Sequence, residues 1–116
     1  MTNRLGDKAR LQHVHDAIHE IASMTEGYDE QKFIDDSKTR FACVFQLEVI
    51  GEACRHLSGE IKNEYSQISW SQVIGLRNII AHEYFGIDYS QLWSIINKDL
   101  PELNTVITEM INKINR

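Results

Sequence analysis

A single proline in 116 residues, with apolar side chains recurring at helical spacing almost throughout, constrains this chain to an all-helical fold. The clearest stretch is the last. Leu103, Val106, Ile107, Met110, Ile111 and Ile114 fall at i, i+3, i+4, i+7, i+8 and i+11, which lays them along one stripe of a helix. No stretch alternates apolar and polar residues for long enough to suggest a strand.

The same periodicity places the other elements. A first helix is expected from about Leu5 to Met24, with Leu11, Val14, Ile18, Ile21 and Ala22 on its apolar side and Gly27 at its C-terminal stop. Asp35, Asp36 and Ser37 offer N-caps for a second helix running to about Leu57. That helix is apolar on most of its circumference, so it belongs in the middle of a bundle. Gly51 inside it sacrifices about 1 kcal/mol of helix propensity relative to alanine, which implies that something packs closely there. Glu60 to Ser69 is polar and reads as a short helix or loop anchored by Tyr65 and Ile68. Ser69 with Gln72 resembles a capping box, predicting a third helix from about Trp70 with Val73, Ile74, Ile80 and Ala81 on its buried face. Asp88 with Gln91 repeats the pattern and opens a fourth helix through Leu92, Trp93, Ile95 and Ile96; Pro101 marks a kink or a fresh start. The expected architecture is one domain over residues 1–116, an all-α up-and-down bundle of four to five helices.

Composition narrows the function classes. Hydrophobic residues at 42% and charged residues at 25% are ordinary for a globular protein. The net charge of -5 lacks the broad cationic footprint of a nucleic-acid binder. Any RNA contact must then rest on a few cations in a cleft or on a partner subunit. Cys43 and Cys54 match neither a zinc pattern nor a redox pair, and both are expected to be buried as small hydrophobes in a reducing compartment. Asp7, Arg10 and His13 stand where a signal peptide would be apolar, and no apolar run approaches membrane-spanning length, so a cytoplasmic protein without membrane contact is expected.

Chemistry concentrates in Arg77-Asn78-Ile79-Ile80-Ala81-His82-Glu83-Tyr84. Imidazole can both take and give a proton near neutral pH, so His82 is the candidate general base or acid. Arg77, always charged and planar, is the candidate cation for a phosphorane. Together they suffice for cleavage of RNA by its own 2'-hydroxyl without a metal or cofactor. Their spacing is awkward, however: at ~100° per residue Arg77 and His82 lie roughly 140° apart around a straight helix. Asn78 and His82 are i,i+4 neighbours, and Arg77 and Tyr84 return to one side. A compact site therefore calls for a second surface, which a twofold homodimer supplies. His15 and His19 are also i,i+4, but nothing in the sequence completes a metal set around them. Glu52 is either a carboxylate of a dimer interface or a partner of the active site, and the sequence leaves both open.

The run Ile74 to Phe85 resembles the R-x4-H-x-Y signature of the HepT toxins, members of the HEPN superfamily. Leu47-Glu48-Val49-Ile50-Gly51-Glu52-Ala53 is similar to the family's second-helix signature, Trp70 matches ahead of the motif, and Trp93 with Asp99-Leu100-Pro101-Glu102-Leu103 resembles its C-terminal pattern. The chain departs from that pattern at Phe45, where relatives often carry a basic residue, and at Ser69, where proline usually precedes the tryptophan. The resemblance implies a homodimeric, metal-independent RNA endonuclease with a composite site. Arg77 would bind and stabilise the scissile phosphate, His82 would move the proton, and Asn78 and Tyr84 would contact substrate. It further implies a type II toxin–antitoxin system in which a minimal nucleotidyltransferase antitoxin transfers AMP to Tyr84. The alternative is a non-catalytic HEPN subunit that docks a nucleotidyltransferase.

Overall fold

The computed structural model describes residues 4–78 and 88–115, and every regular element among them is helical. Helix α1 (Arg4–Met24) buries Leu11, Val14, Ala17, Ile18 and Ile21 against the helix Ser37–Arg55 and the C-terminal helix. It stops where expected, with Gly27 at φ 77, a conformation that glycine adopts without steric cost.

A short helix α2 (Glu30–Asp35) follows, which periodicity did not reveal. Six residues are too few to show a period. It is set by the Asp29 carboxylate accepting from Lys32 N–H and by Phe33, fully buried with its ring 5.2 Å from that of Trp93. Asp36 then caps the central helix α3 (Ser37–Arg55), accepting from the Thr39 N–H, the Thr39 hydroxyl and the Tyr28 hydroxyl. These donors hold its carboxyl down at about 2, the Tyr28 bond being the largest cause. Cys43 and Cys54 are buried on α3 as expected, and desolvation pushes their thiols up to about 11 and about 12.

Helix α4 (Gly59–Glu64) is tied back to the start of α1. Asp7, only 4% exposed, accepts from Ser58 N–H at 2.8 Å and from the Ser58 hydroxyl at 2.7 Å, while the same hydroxyl accepts from Ile61 N–H as the α4 N-cap. A buried carboxylate so placed is satisfied by both of its oxygens. Tyr65 and Ile68 are buried anchors beyond α4, as expected.

Helix α5 (Trp70–Gly75) begins at the expected residue for a different reason. Ser69 makes no side-chain cap bond. The Trp70 indole N–H instead reaches the carbonyls of Lys62 and Tyr65, both at 3.1 Å, and pins the helix to the end of α4. Val73 and Ile74 are half-buried; Ile80 and Ala81 lie outside the described residues. A 3-10 turn, Leu76–Asn78, follows directly.

Past the second boundary, Asp88 caps α6 (Tyr89–Ser94) by accepting from Ser90 and Gln91 N–H. The Arg40 guanidinium lies 4.1 Å from the Tyr89 ring centroid and donates to the Ile34 carbonyl, linking the α2–α3 corner to the start of α6. Pro101 marks a fresh start, as expected: it sits in the first turn of the C-terminal helix, where its missing N–H costs no helical bond. A π turn at Ile95–Asp99, in which Leu100 N–H reaches the Ile95 carbonyl, joins α6 to α7 (Leu100–Ile114) with helical dihedrals throughout. One widened turn absorbs a ring that cannot bond or fit against the carbonyl four residues earlier. Leu103, Val106, Ile107 and Met110 of α7 close the core, as their spacing predicts. The molecule is the all-α bundle expected. No helix among the described residues is long and apolar enough to cross a membrane.

Candidate functional site

Arg77 is positioned by a glycine on another helix. A Cβ at Gly51 would lie 2.5 Å from the Arg77 backbone nitrogen, 3.0 Å from the Ile74 carbonyl oxygen and 3.1 Å from the Arg77 Cβ. The 3-10 turn therefore lies backbone-on-backbone against α3, and only a residue without a side chain permits it. The propensity sacrificed at Gly51 is thus explained. For the first two motif residues the turn corrects the expectation of a continuous third helix, since α5 ends at Gly75 and Arg77 and Asn78 sit on the tighter turn; the rest of the motif lies outside the described residues.

The next residue of α3 receives the arginine. Glu52 Oε2 accepts from Arg77 Nη1 at 3.1 Å, while Oε1 accepts from Arg55 Nη1 at 3.2 Å and lies 3.0 Å from His56 Nε2. The Arg77 and His56 bonds, in that order, hold the Glu52 carboxyl below the ordinary glutamate range, and the Arg55 charge adds to them. An ionised carboxylate only accepts, so Nε2 of His56 carries the proton it shares. Of the two readings open for Glu52, the structure realises contact with the motif arginine. The side chains of Arg77 and Glu52 are 36% and 46% exposed, so the pair is open to solvent and its charge–charge attraction is screened. Its value is orientation.

The four site residues named from the sequence divide accordingly. Arg77 faces α3; Asn78 lines a cleft between α5 and the C-terminal helix, together with Gln72, Leu76, Asp88, Gln91 and Asp99. His82 and Tyr84 lie outside the described residues. Arg55 and His56 were not joined to Glu52 from the sequence, although a signal existed: with Glu52 they stand at i, i+3 and i+4, neighbours on one helical face.

Elsewhere the chemistry is sparse. His15 and His19 stack with ring centroids 4.2 Å apart, and among the described residues no three His, Cys, Asp or Glu side chains converge to hold a metal ion. On the outer face of α3, Phe41 and Phe45 are 54% and 58% exposed. With Glu48 and Glu52 they fall at i, i+4, i+7 and i+11, one continuous face that ends at the Arg77 contact.

Residues 14–110 match the family model described as "Ribonuclease HepT-like". Among curated proteins the chain is similar to "Putative RNase MJ1380" of Methanocaldococcus jannaschii, 35% identical over 83% of this chain and 88% of that protein. It is also similar to "Probable ribonuclease HepT" of Thermococcus cleftensis, 33% identical over 83% and 87%. A third, "Putative RNase TTE0752" of Caldanaerobacter subterraneus subsp. tengcongensis, is 32% identical over 89% and 92%. No solved structure matches the chain significantly. The family match covers α3, the Gly51–Arg77 contact and the Glu52 carboxylate alike, and on it the chain belongs to the HepT-like ribonuclease family.

Proposed function

We propose that this protein is a metal-independent RNA endonuclease that acts as the toxin of a type II toxin–antitoxin pair. The observation that carries the reading is Arg77 held by Glu52 on a glycine seat, in a chain of a ribonuclease family. In the proposed reaction His82 removes the proton of the ribose 2'-hydroxyl, whose oxygen attacks the neighbouring phosphorus. The bond to the 5'-oxygen breaks, that oxygen takes a proton, and a 2',3'-cyclic phosphate remains. Arg77 stabilises the charge that builds on the phosphoryl oxygens between these events. Asn78 and Tyr84 contact the substrate.

The working form is a homodimer. The exposed Phe41 and Phe45 support this, because a twofold axis across that face of α3 buries both aromatics and brings two Glu52–Arg77 pairs toward each other. Silencing is by a nucleotidyltransferase antitoxin that transfers AMP from ATP to the Tyr84 hydroxyl: the tyrosine oxygen bonds to the α-phosphorus, pyrophosphate leaves with the broken α–β bond, and an anion is tethered next to Arg77. Phe45 favours a second reading, in which the apolar face docks the nucleotidyltransferase and the protein does not cut RNA.

Cleavage of RNA in the presence of EDTA separates the two. The unmodified protein cleaves, and His82→Ala abolishes cleavage with the same thermal unfolding. No cleavage by unmodified wild-type protein, with AMP adducts on Tyr84 after co-expression, selects the docking subunit instead.

A further inference from the structure

The Glu52 carboxylate gathers more positive charge than one scissile phosphate requires. Arg55 on the last turn of α3 and His56 at its C-cap converge on Oε1, while Arg77 approaches Oε2. In a chain with 17 acidic and 12 basic residues, this patch holds two arginines and a histidine around a single carboxylate. The excess is cationic even with His56 neutral. Cations are favoured near a helix C-terminus, which accounts for their place at the end of α3. That preference does not account for their turning to the carboxylate that holds the motif arginine.

The geometry suits an extended anion. Each arginine meets Glu52 through Nη1, a single nitrogen of a planar fork that can hold two oxygens. Lying on opposite oxygens of one carboxylate, the two guanidiniums are at most two hydrogen bonds and the carboxylate width apart, a spacing that successive phosphates of one strand can match. The Arg55 and His56 side chains are 48% and 46% exposed, so a strand can reach them. Glu48, one turn back on α3, takes no part in the network.

We propose that Arg55 and His56 form a second phosphate subsite, which receives the backbone phosphate next to the one bound by Arg77 on single-stranded RNA. The inference rests on the ribonuclease reading for its substrate. It supplies the local cation cluster that an acidic chain needs to hold RNA. Glu52 then has two tasks: it orients Arg77 and it sets the spacing between the two phosphate positions.

The test is binding of a short, fluorescein-labelled 2'-O-methyl oligoribonucleotide, whose blocked 2'-oxygen cannot attack, to the full chain free of AMP. Anisotropy is followed between ~50 and ~200 mM salt for wild type, R55Q, R55K and the double variant R55Q/H56Q, with thermal unfolding as the check on folding. Each single-strand phosphate contact contributes ~0.7 to the slope of log affinity against log salt. R55Q should therefore flatten the slope by ~0.7, so that the wild-type advantage shrinks ~3-fold across this range. R55K, which keeps the charge, should restore the slope, and R55Q/H56Q should bind more weakly than R55Q. Wild-type affinity and slope in R55Q/H56Q, equal losses in R55K and R55Q, or no binding by wild type would each overturn the subsite. Failure of the ribonuclease reading looks different: wild type binds with the predicted slopes yet leaves an unmodified RNA uncut.

Discussion

Two carboxylates on or beside α3 show how the same group serves two ends. Asp36, at the start of the helix, is surrounded by neutral donors: the Tyr28 and Thr39 hydroxyls and the Thr39 N–H. Glu52, near its end, is surrounded by cations that are half exposed. Both are held below their ordinary carboxylate range. The first arrangement engages the single negative charge in bonds from neutral donors and fixes the corner between α2 and α3. The second leaves a cationic surplus at the surface, and the surplus makes it a site. Partners, not the carboxylate, decide the role.

The largest effect is expected at the seat of the second carboxylate. Gly51→Ala places a methyl 2.5 Å from the Arg77 nitrogen, and backbone cannot swing aside as a side chain can. Overpacking of this kind costs about 1–3 kcal/mol and displaces the 3-10 turn, so both denaturant stability and RNA cleavage should fall. Gly59→Ala, where nothing lies within 4 Å of the added carbon, should change neither appreciably. A neutral Gly51→Ala would remove the structural basis of the site.

Next in size is a crossed pair of effects. Asp36→Ala should lower Tm and leave the chemistry nearly intact; Glu52→Gln should reduce kcat and leave Tm nearly unchanged. Acid titration sharpens the contrast. A carboxyl with a depressed folded pKa stabilises the protein above its unfolded value and ceases to do so as pH falls through the folded one. For Asp36 that window runs from the ordinary 3.8 down to about 2. Asp36→Ala should therefore flatten the loss of stability across that interval, as followed by thermal unfolding. If Glu52→Gln changes Tm as much as Asp36→Ala does, the two carboxylates are alike and the comparison fails.

The smallest effect on the fold is expected at the exposed aromatics of α3. The Phe41→Ser/Phe45→Ser double variant should keep the wild-type Tm of the monomer while sedimentation velocity shows loss of the dimer, and cleavage should fall with it. An unchanged dimer would place the interface elsewhere.

These contrasts also explain how far the sequence can be read. The three long helices follow from apolar periodicity, and most of the residues their spacing names are buried, whereas Ala22 on α1 and Phe41 and Phe45 on α3 face outward. Gly51 was legible as a close approach because an unfavourable residue inside a good helix needs a reason. What approaches it was not, since the contact with Arg77 spans 26 residues of chain and is made by backbone. The Ser69 cap failed because Trp70 already fixes α5 through the end of α4, a tertiary bond with no local signature. The π turn before Pro101 is a third case: the proline announced a disturbance, but whether a helix breaks or widens depends on the packing on both sides of it. Within the site, Arg77 and Asn78 were named from the motif. The hub that organises Arg77 was legible only as the spacing of Glu52, Arg55 and His56.

The central claim is that Arg77 acts on the scissile phosphate and that Glu52 acts through Arg77. It is tested most directly by single-turnover cleavage of one RNA in EDTA by wild type, Arg77→Ala, Glu52→Gln and the double variant. Arg77→Ala should lower the rate ~10²- to 10³-fold, as removal of a transition-state donor does. Glu52→Gln should lower it ~10- to 100-fold by misplacing that donor, and the double variant should be no slower than Arg77→Ala alone. Full additivity of the two losses, or wild-type cleavage by Arg77→Ala, would contradict it.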